Sequence, residues 1–135
     1  ITNGDIDKNL LGDLQKSLPK LINLMNNQNL NEYLKKVVSF SFDANKYFND
    51  SEPWALKKKD PKKMNIVLFT ITQQIKNISI LLNPIIPNST IKVFRIMNID
   101  EKKIKLDNIN NYNLFDHDKE LQNLEILFKK IENDN

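Results

Sequence analysis

The chain contains no cysteine, which excludes disulfides, thiolate zinc sites and a thiol nucleophile, and fits a reducing compartment. Glycine is almost as scarce. The two present, Gly4 and Gly12, cannot build a G-x-G-x-x-G or Walker A loop, so nucleotide binding by those routes is excluded. No apolar run approaches the roughly 18 uninterrupted residues that span a bilayer, and the first residues have neither a basic flank nor an apolar signal core. A soluble, cytoplasmic protein with no membrane partner is expected.

What remains is a chain of 135 residues, 40% hydrophobic, enough for one domain that buries roughly two thirds of its unfolded surface. Arg95 is the only arginine among 20 basic residues. Heavy use of lysine, asparagine and isoleucine is the bias of an adenine- and thymine-rich genome, so lysine abundance alone says little about function. With a net charge of only +3, a nucleic-acid site has to be a local patch rather than a field over the whole surface.

Apolar residues recur at helical spacing through most of the first hundred positions and nowhere alternate as a half-buried strand would, so the expected class is all-α, a helical bundle. A first helix is predicted from Asp7 to Met25 on Leu10, Leu11, Leu14, Leu18, Leu21, Ile22 and Met25, with a kink or break at Pro19. Asn29 and Glu32 have the spacing of a capping box. They open a second helix on Leu30, Tyr33, Leu34, Val37, Ser41, Ala44 and Phe48, ending near Asp50.

Asp60 as cap and Pro61 at the first helical position launch a third helix on Met64, Val67, Leu68, Ile71, Ile75, Ile78 and Leu82. Ile66, Phe69 and Ile80 lie off that stripe, so this helix is predicted to be the spine, touched on more than one side. Pro84 and Pro87 frame a rigid elbow. Asn88 or Ser89 then caps a shorter fourth helix through Ile91, Phe94 and Met97, which Asn98 ends. The bundle is assigned to 1–99. Residues 100–135 are read as a loop to Asp118 and a strap, Leu121 to Ile131, folded back on it within the same domain.

Catalytic chemistry finds little support. His117, between Asp116 and Asp118, has no second histidine and no His-Glu helical spacing to make a metal or general-base site, and Asp5 and Asp7 read as helix-start carboxylates. The unusual segment is Asn45 to Leu56. Trp54, the only tryptophan, follows Pro53 at an interhelical junction, where it can either fill the end of the core or stand exposed as a platform for an unstacked base. Lys57, Lys58, Lys59, Lys62 and Lys63 follow. They make either a solvated face or a phosphate-neutralising patch beside the aromatic, with Asn49 nearby.

Taken together, A-N-K-Y-F-N-D-S-E-P-W-A-L-K-K-K-D-P-K-K-M, Ala44 to Met64, resembles the signature of the methionyl-tRNA synthetase anticodon-binding domain: A-N-x-Y, a spacer, P-W, then a lysine. Leu81 to Pro87 resembles the family's L-x-P-x-x-P elbow, and Leu127 to Glu132 its L-F-P-[RK]-I-E strap, with Lys129 where the family has proline. The resemblance implies the helical anticodon-binding bundle of a class I synthetase, with Pro53 and Trp54 at the anticodon end and the indole stacked on the cytosine of CAU. Trp54, Pro53, Asn49, Lys57 and Lys58 become the expected contacts to the anticodon stem-loop of methionine tRNA. Asn45 and Tyr47 are expected to hold the loop from a helix interior face.

The family's Asn-x-x-x-Arg base reader does not precede Gly4, and the His-Ile-Gly-His-like and Lys-Met-Ser-Lys-Ser-like stretches are absent. The resemblance therefore implies that this chain holds no catalytic site, cofactor or metal. ATP, magnesium and methionine are handled by a catalytic domain of the full enzyme, which is the chain's other partner, and DNA is not one. Two alternatives stay open. One is the anticodon domain of a leucine, isoleucine or valine synthetase; the other is a helical protein-interaction module with a buried tryptophan.

Overall fold

The computed structural model describes residues 8–111, and it is helical as expected, with no strand among the described residues. Five α-helices follow in order: α1 (Lys8–Asn26), α2 (Leu30–Ser51), α3 (Pro53–Lys59), α4 (Pro61–Leu82) and α5 (Pro87–Ile96). Two 3₁₀ turns, Glu101–Lys103 and Leu106–Asn110, come next. The strap at 121–131, His117 and the acidic pair Asp5 and Asp7 lie outside the described residues.

The spine begins and ends where its signals place it. Asp60 Oδ1 accepts from the Lys63 amide at 3.2 Å, satisfying one of the free donors of the first turn of α4, and Pro61 has no amide proton to satisfy there. From Val67 to Leu81 every residue is buried except Ile75. A helix covered on all sides needs neighbours on all sides, and α4 packs against α1, α2, α3, α5 and the second 3₁₀ turn. Leu11, Leu14, Leu21, Val37, Phe40 and Phe94 fill the space around it, each worth roughly 1.5–3 kcal/mol if fully transferred from water.

Several expected details differ. Pro19 lies inside α1, which runs on through it. Its ring is exposed while Leu14 and Leu21 on either side are fully buried, so packing of both halves outweighs a cost of about 3 kcal/mol. Asn29 stands at the N-cap of α2 without a side-chain hydrogen bond. Glu32 turns instead to Lys35 at 3.5 Å, so the capping box does not form. Thr90, rather than Asn88 or Ser89, ties down the start of α5, its hydroxyl within reach of Asn83 Oδ1 and Pro87 O, both at 3.0 Å.

Scarce glycine leaves its mark on the helix ends. Asn29 N donates to Leu24 O and Gln28 N to Met25 O, at 2.9 and 3.1 Å, and the same pattern joins Ile99 to Phe94 and Asn98 to Arg95. These are Schellman closures, whose left-handed residue is usually glycine; here Gln28 (φ 58°) and Asn98 (φ 56°) take the position.

Two polar contacts tie the C-terminal part of α4 to its neighbours. The Tyr33 hydroxyl donates to Leu81 O at 2.6 Å, pinning the first turn of α2 to the last of α4, and burial pushes the phenol's pKa up. Lys76, fully buried, donates to Ile109 O at 3.2 Å and Asn111 O at 2.7 Å, holding the 3₁₀ segment on the spine. The carboxamides of Gln74 and Asn77, also buried, find no partner among the described residues, a burden of about 1–3 kcal/mol per group.

Burial lowers the Lys76 pKa from 10.5 to about 7. Between those two values the unfolded chain holds a proton that the folded chain has released, so stability rises with pH across that window. Below it, the full cost of burying the ammonium is present. The midpoint of urea unfolding is expected to climb from pH 7.5 to 10, by at most about 1.4 kcal/mol per pH unit from this group. Lys76→Met should flatten that rise, and equal slopes in the two proteins would contradict it.

Candidate nucleic-acid interface

The region read as an interhelical loop after Asp50 is instead a helical corner. α2 runs to Ser51, and Glu52 serves as both its C-cap and the N-cap of α3. Glu52 adopts φ 47°, ψ 59°, a left-handed conformation that costs a non-glycine residue roughly 1–2 kcal/mol and that a following proline further disfavours. Hydrogen bonds on both sides hold it. Its amide donates to Phe48 O at 3.2 Å, while its carbonyl accepts from Ala55 and Leu56 at 2.9 and 3.2 Å.

The corner determines how Trp54 is presented. Pro53, at the first position of α3, is buried, so the ring anchors the corner on the bundle while the next side chain points away. Trp54 is 55% exposed. Of its two open readings, core filler or platform, the exposed one is found. The indole and the Phe48 ring meet with centroids 5.8 Å apart and planes at 63°, a T-shaped contact worth about 0.5–1.5 kcal/mol that favours one orientation of the ring.

Lys57, Lys58 and Lys59 occupy the last turn of α3 and are exposed, where their charge complements the negative end of the helix. Asp60 then breaks the chain into α4, whose first turn carries exposed Lys62 and Lys63. On the last two turns of α2, Lys46 donates to Asp50 Oδ2 at 2.9 Å, and that carboxylate raises the lysine's pKa. From Lys46 to Lys63 six lysines face three carboxylates, an excess equal to the net charge of the whole chain, +3. The basic surplus is therefore concentrated beside the exposed indole.

Asn49 is exposed on the last turn of α2. Asn45, expected on an interior face, is exposed as well. The reason is register: the buried side of α2 passes through Tyr33, Val37, Phe40 and Ala44, which turns position 45 outward. Tyr47 is half-buried. The sequence reading missed Glu52 and Phe48 as the supports of the platform. A glutamate squeezed between a helix end and a proline was the available sign.

A helical bundle whose basic surplus and only tryptophan share one exposed corner defines a helical binding module. The family model described as the anticodon binding domain of methionyl tRNA ligase matches residues 1–135, so the chain belongs to that family. Curated relatives named methionine–tRNA ligase include one from Rickettsia felis, 33% identical over 107 residues, covering 76% of this chain and 21% of that protein. Another from Pyrococcus abyssi is 27% identical over 130 residues, covering 96% and 17%. A third, from Thermotoga maritima, is 32% identical over 110 residues, covering 81% and 17%. The chain thus spans about a fifth of the length of the relatives it matches. No solved structure matches it.

These matches favour the methionine family over its leucine, isoleucine and valine cousins and over an unrelated interaction module. Among the described residues no group of three or more His, Cys, Asp or Glu side chains could hold a metal ion, and no helix is long and apolar enough to cross a membrane.

Because Glu52 is held left-handed, Glu52→Gly should remove the clash of Cβ with its own backbone and raise stability by up to about 1 kcal/mol, net of the extra entropy of glycine. Urea unfolding of the two proteins measures this. A loss of more than about 1 kcal/mol would mean that the side chain itself, rather than the backbone turn, holds the corner.

Proposed function

We propose that this chain is the part of a methionine–tRNA ligase that receives the anticodon loop of methionine tRNA, with the first anticodon base stacked on Trp54. The observation that carries the reading is the wet indole, 55% exposed yet braced by Phe48 in a T-shaped contact. An aromatic left in water by its own fold but held toward one orientation loses little further entropy when a base stacks on it. Such stacking contributes about 1–3 kcal/mol per base.

Pro53 supplies rigidity from below, and the Asn49 carboxamide, with donor and acceptor on one short arm, suits a base edge. Lys57 and Lys58 neutralise phosphates of the loop. The full ligase joins methionine to tRNA using ATP and magnesium in the cytoplasm, and those reactants meet in its catalytic domain. This chain contributes selection of the tRNA, a matter of binding differences rather than of bond making.

In the complete ligase, Trp54→Ala is expected to lower tRNA charging at least about tenfold, the equivalent of roughly 1.4 kcal/mol, while methionine activation by ATP is unchanged. Equal charging by the variant would end the platform reading. If Lys58 reaches a phosphate, Lys58→Ala should reduce the slope of log affinity against log salt by about 0.7 for an anticodon hairpin. An unchanged slope would assign that lysine to solvent.

A further inference from the structure

Phe42 is 68% exposed, more than any other large hydrophobic side chain among the described residues, Trp54 included. Its register on α2 puts it there. The buried side of that helix passes through Tyr33, Val37, Phe40 and Ala44, and at about 100° per residue Phe42 points roughly 170° away from the middle of that side. Asn45 and Asn49, three and seven residues on, return to within about 60° of the same line, and both are exposed. One outward face of α2 therefore carries an aromatic ring and two carboxamides over roughly 10 Å, close to the corner that presents Trp54. A lone exposed ring is ordinary on a protein surface. This one is set apart by its register with Asn49, which the proposed function sets against a base edge.

We propose that Phe42 is a second stacking platform for the same RNA loop, taking an unpaired base other than the one on Trp54, an inference that rests on the function proposed above. Asn45, between Phe42 and Asn49 along the face, offers its carboxamide to a base edge. Size, charge and spacing single out a base as the occupant. The apolar surface here is Phe42 and Val38, one turn earlier and 41% exposed. Two side chains fall far short of the roughly 800 Å² per partner in a stable protein contact, whereas the face of one ring matches the face of one base.

Charge agrees with size. Asp43 beside the ring is exposed and Lys46 is engaged by Asp50, so this face offers little to a phosphate. The lysine cluster lies instead on α3 and the first turn of α4, which draws the RNA backbone there and leaves α2 to the bases. Stacked bases rise about 3.4 Å each, so the roughly 10 Å from Asn49 to Phe42 is the reach of about three nucleotides, within a single loop. Two platforms on one rigid frame require two bases of that loop to be splayed at once, and a loop that keeps its bases stacked on one another engages at most one.

The test measures binding of an anticodon hairpin carrying CAU to the full-length ligase. Phe42→Ala is expected to weaken it about tenfold and Phe42→Leu nearly as much, while Phe42→Trp stays within about twofold of the unaltered enzyme, because a stacked base needs a flat face and not merely apolar bulk. Leucine serving as well as phenylalanine would overturn the proposal in favour of an apolar protein contact. Hairpins with an abasic nucleotide at each loop position in turn then locate the base. At one position other than the first anticodon base, the loss caused by Phe42→Ala should vanish. Coupling of Trp54 to the first anticodon base with no position coupled to Phe42 would overturn the second platform alone, whereas failure of the unaltered enzyme to bind the hairpin would overturn the function on which it rests.

Discussion

The burial of α4 from Val67 to Leu81, Ile75 aside, is the constraint from which the other features follow. A helix that hides its polar as well as its apolar residues, Thr70, Gln73, Lys76 and Ser79 among them, cannot choose one partner; it has to be enclosed. α1 and α2 cover part of its surface, α5 and the 3₁₀ segment another part, and α3 lies against it beside its start. With its ends fixed by Asp60 and by the Tyr33 hydroxyl, α4 gives the bundle a rigid axis, and what is attached near its first turn is presented in a set direction.

The exposed corner is a consequence of that axis. α2 and α4 pack together, and the chain has only Glu52 through Asp60 in which to turn from one to the other. It does so with a single left-handed residue, a buried proline and two turns of helix. Pro53 takes the inward position at the start of α3, and Trp54, one residue and about 100° further round the helix, faces out. Phe48 meets it in a T-shaped contact. Exposure of the indole thus results from chain geometry and not from any polarity of the ring.

The boundaries of the spine were legible in the sequence because two independent signals agreed: Asp60 and Pro61 at the start, and a stripe from Met64 to Leu82 at 3.6-residue spacing. α3 was not legible, since seven residues give under two turns and no period to detect. Nor was the burial of Gln74, Lys76 and Asn77. Polar residues off an apolar stripe read as a solvent face, and only the number of elements packed on α4 shows otherwise. The capping box failed for a local reason: Asn29 sits at φ −89°, ψ 69° and its side chain makes no cap bond. As for the candidate site, the sequence singled out Pro53 and Trp54, but whether the indole was wet depended on the register of a short helix that spacing alone did not reveal.

Concentrating charge in one place bears on selectivity. Six lysines against three carboxylates beside the indole give a modest local surplus, and exposed lysines are largely screened beyond about 8–10 Å at physiological salt. Such a patch attracts any RNA weakly. On the proposed reading, stacking on Trp54 holds a base in place, and discrimination must come from hydrogen bonding to its edge by groups such as Asn49. The Lys46–Asp50 pair supports this division of labour. By holding Asp50 at 2.9 Å, Lys46 offsets the carboxylate that would otherwise repel phosphates next to the platform. On that reading the attraction stays general and small, and the exposed ring holds a base where hydrogen-bonding groups can read its edge.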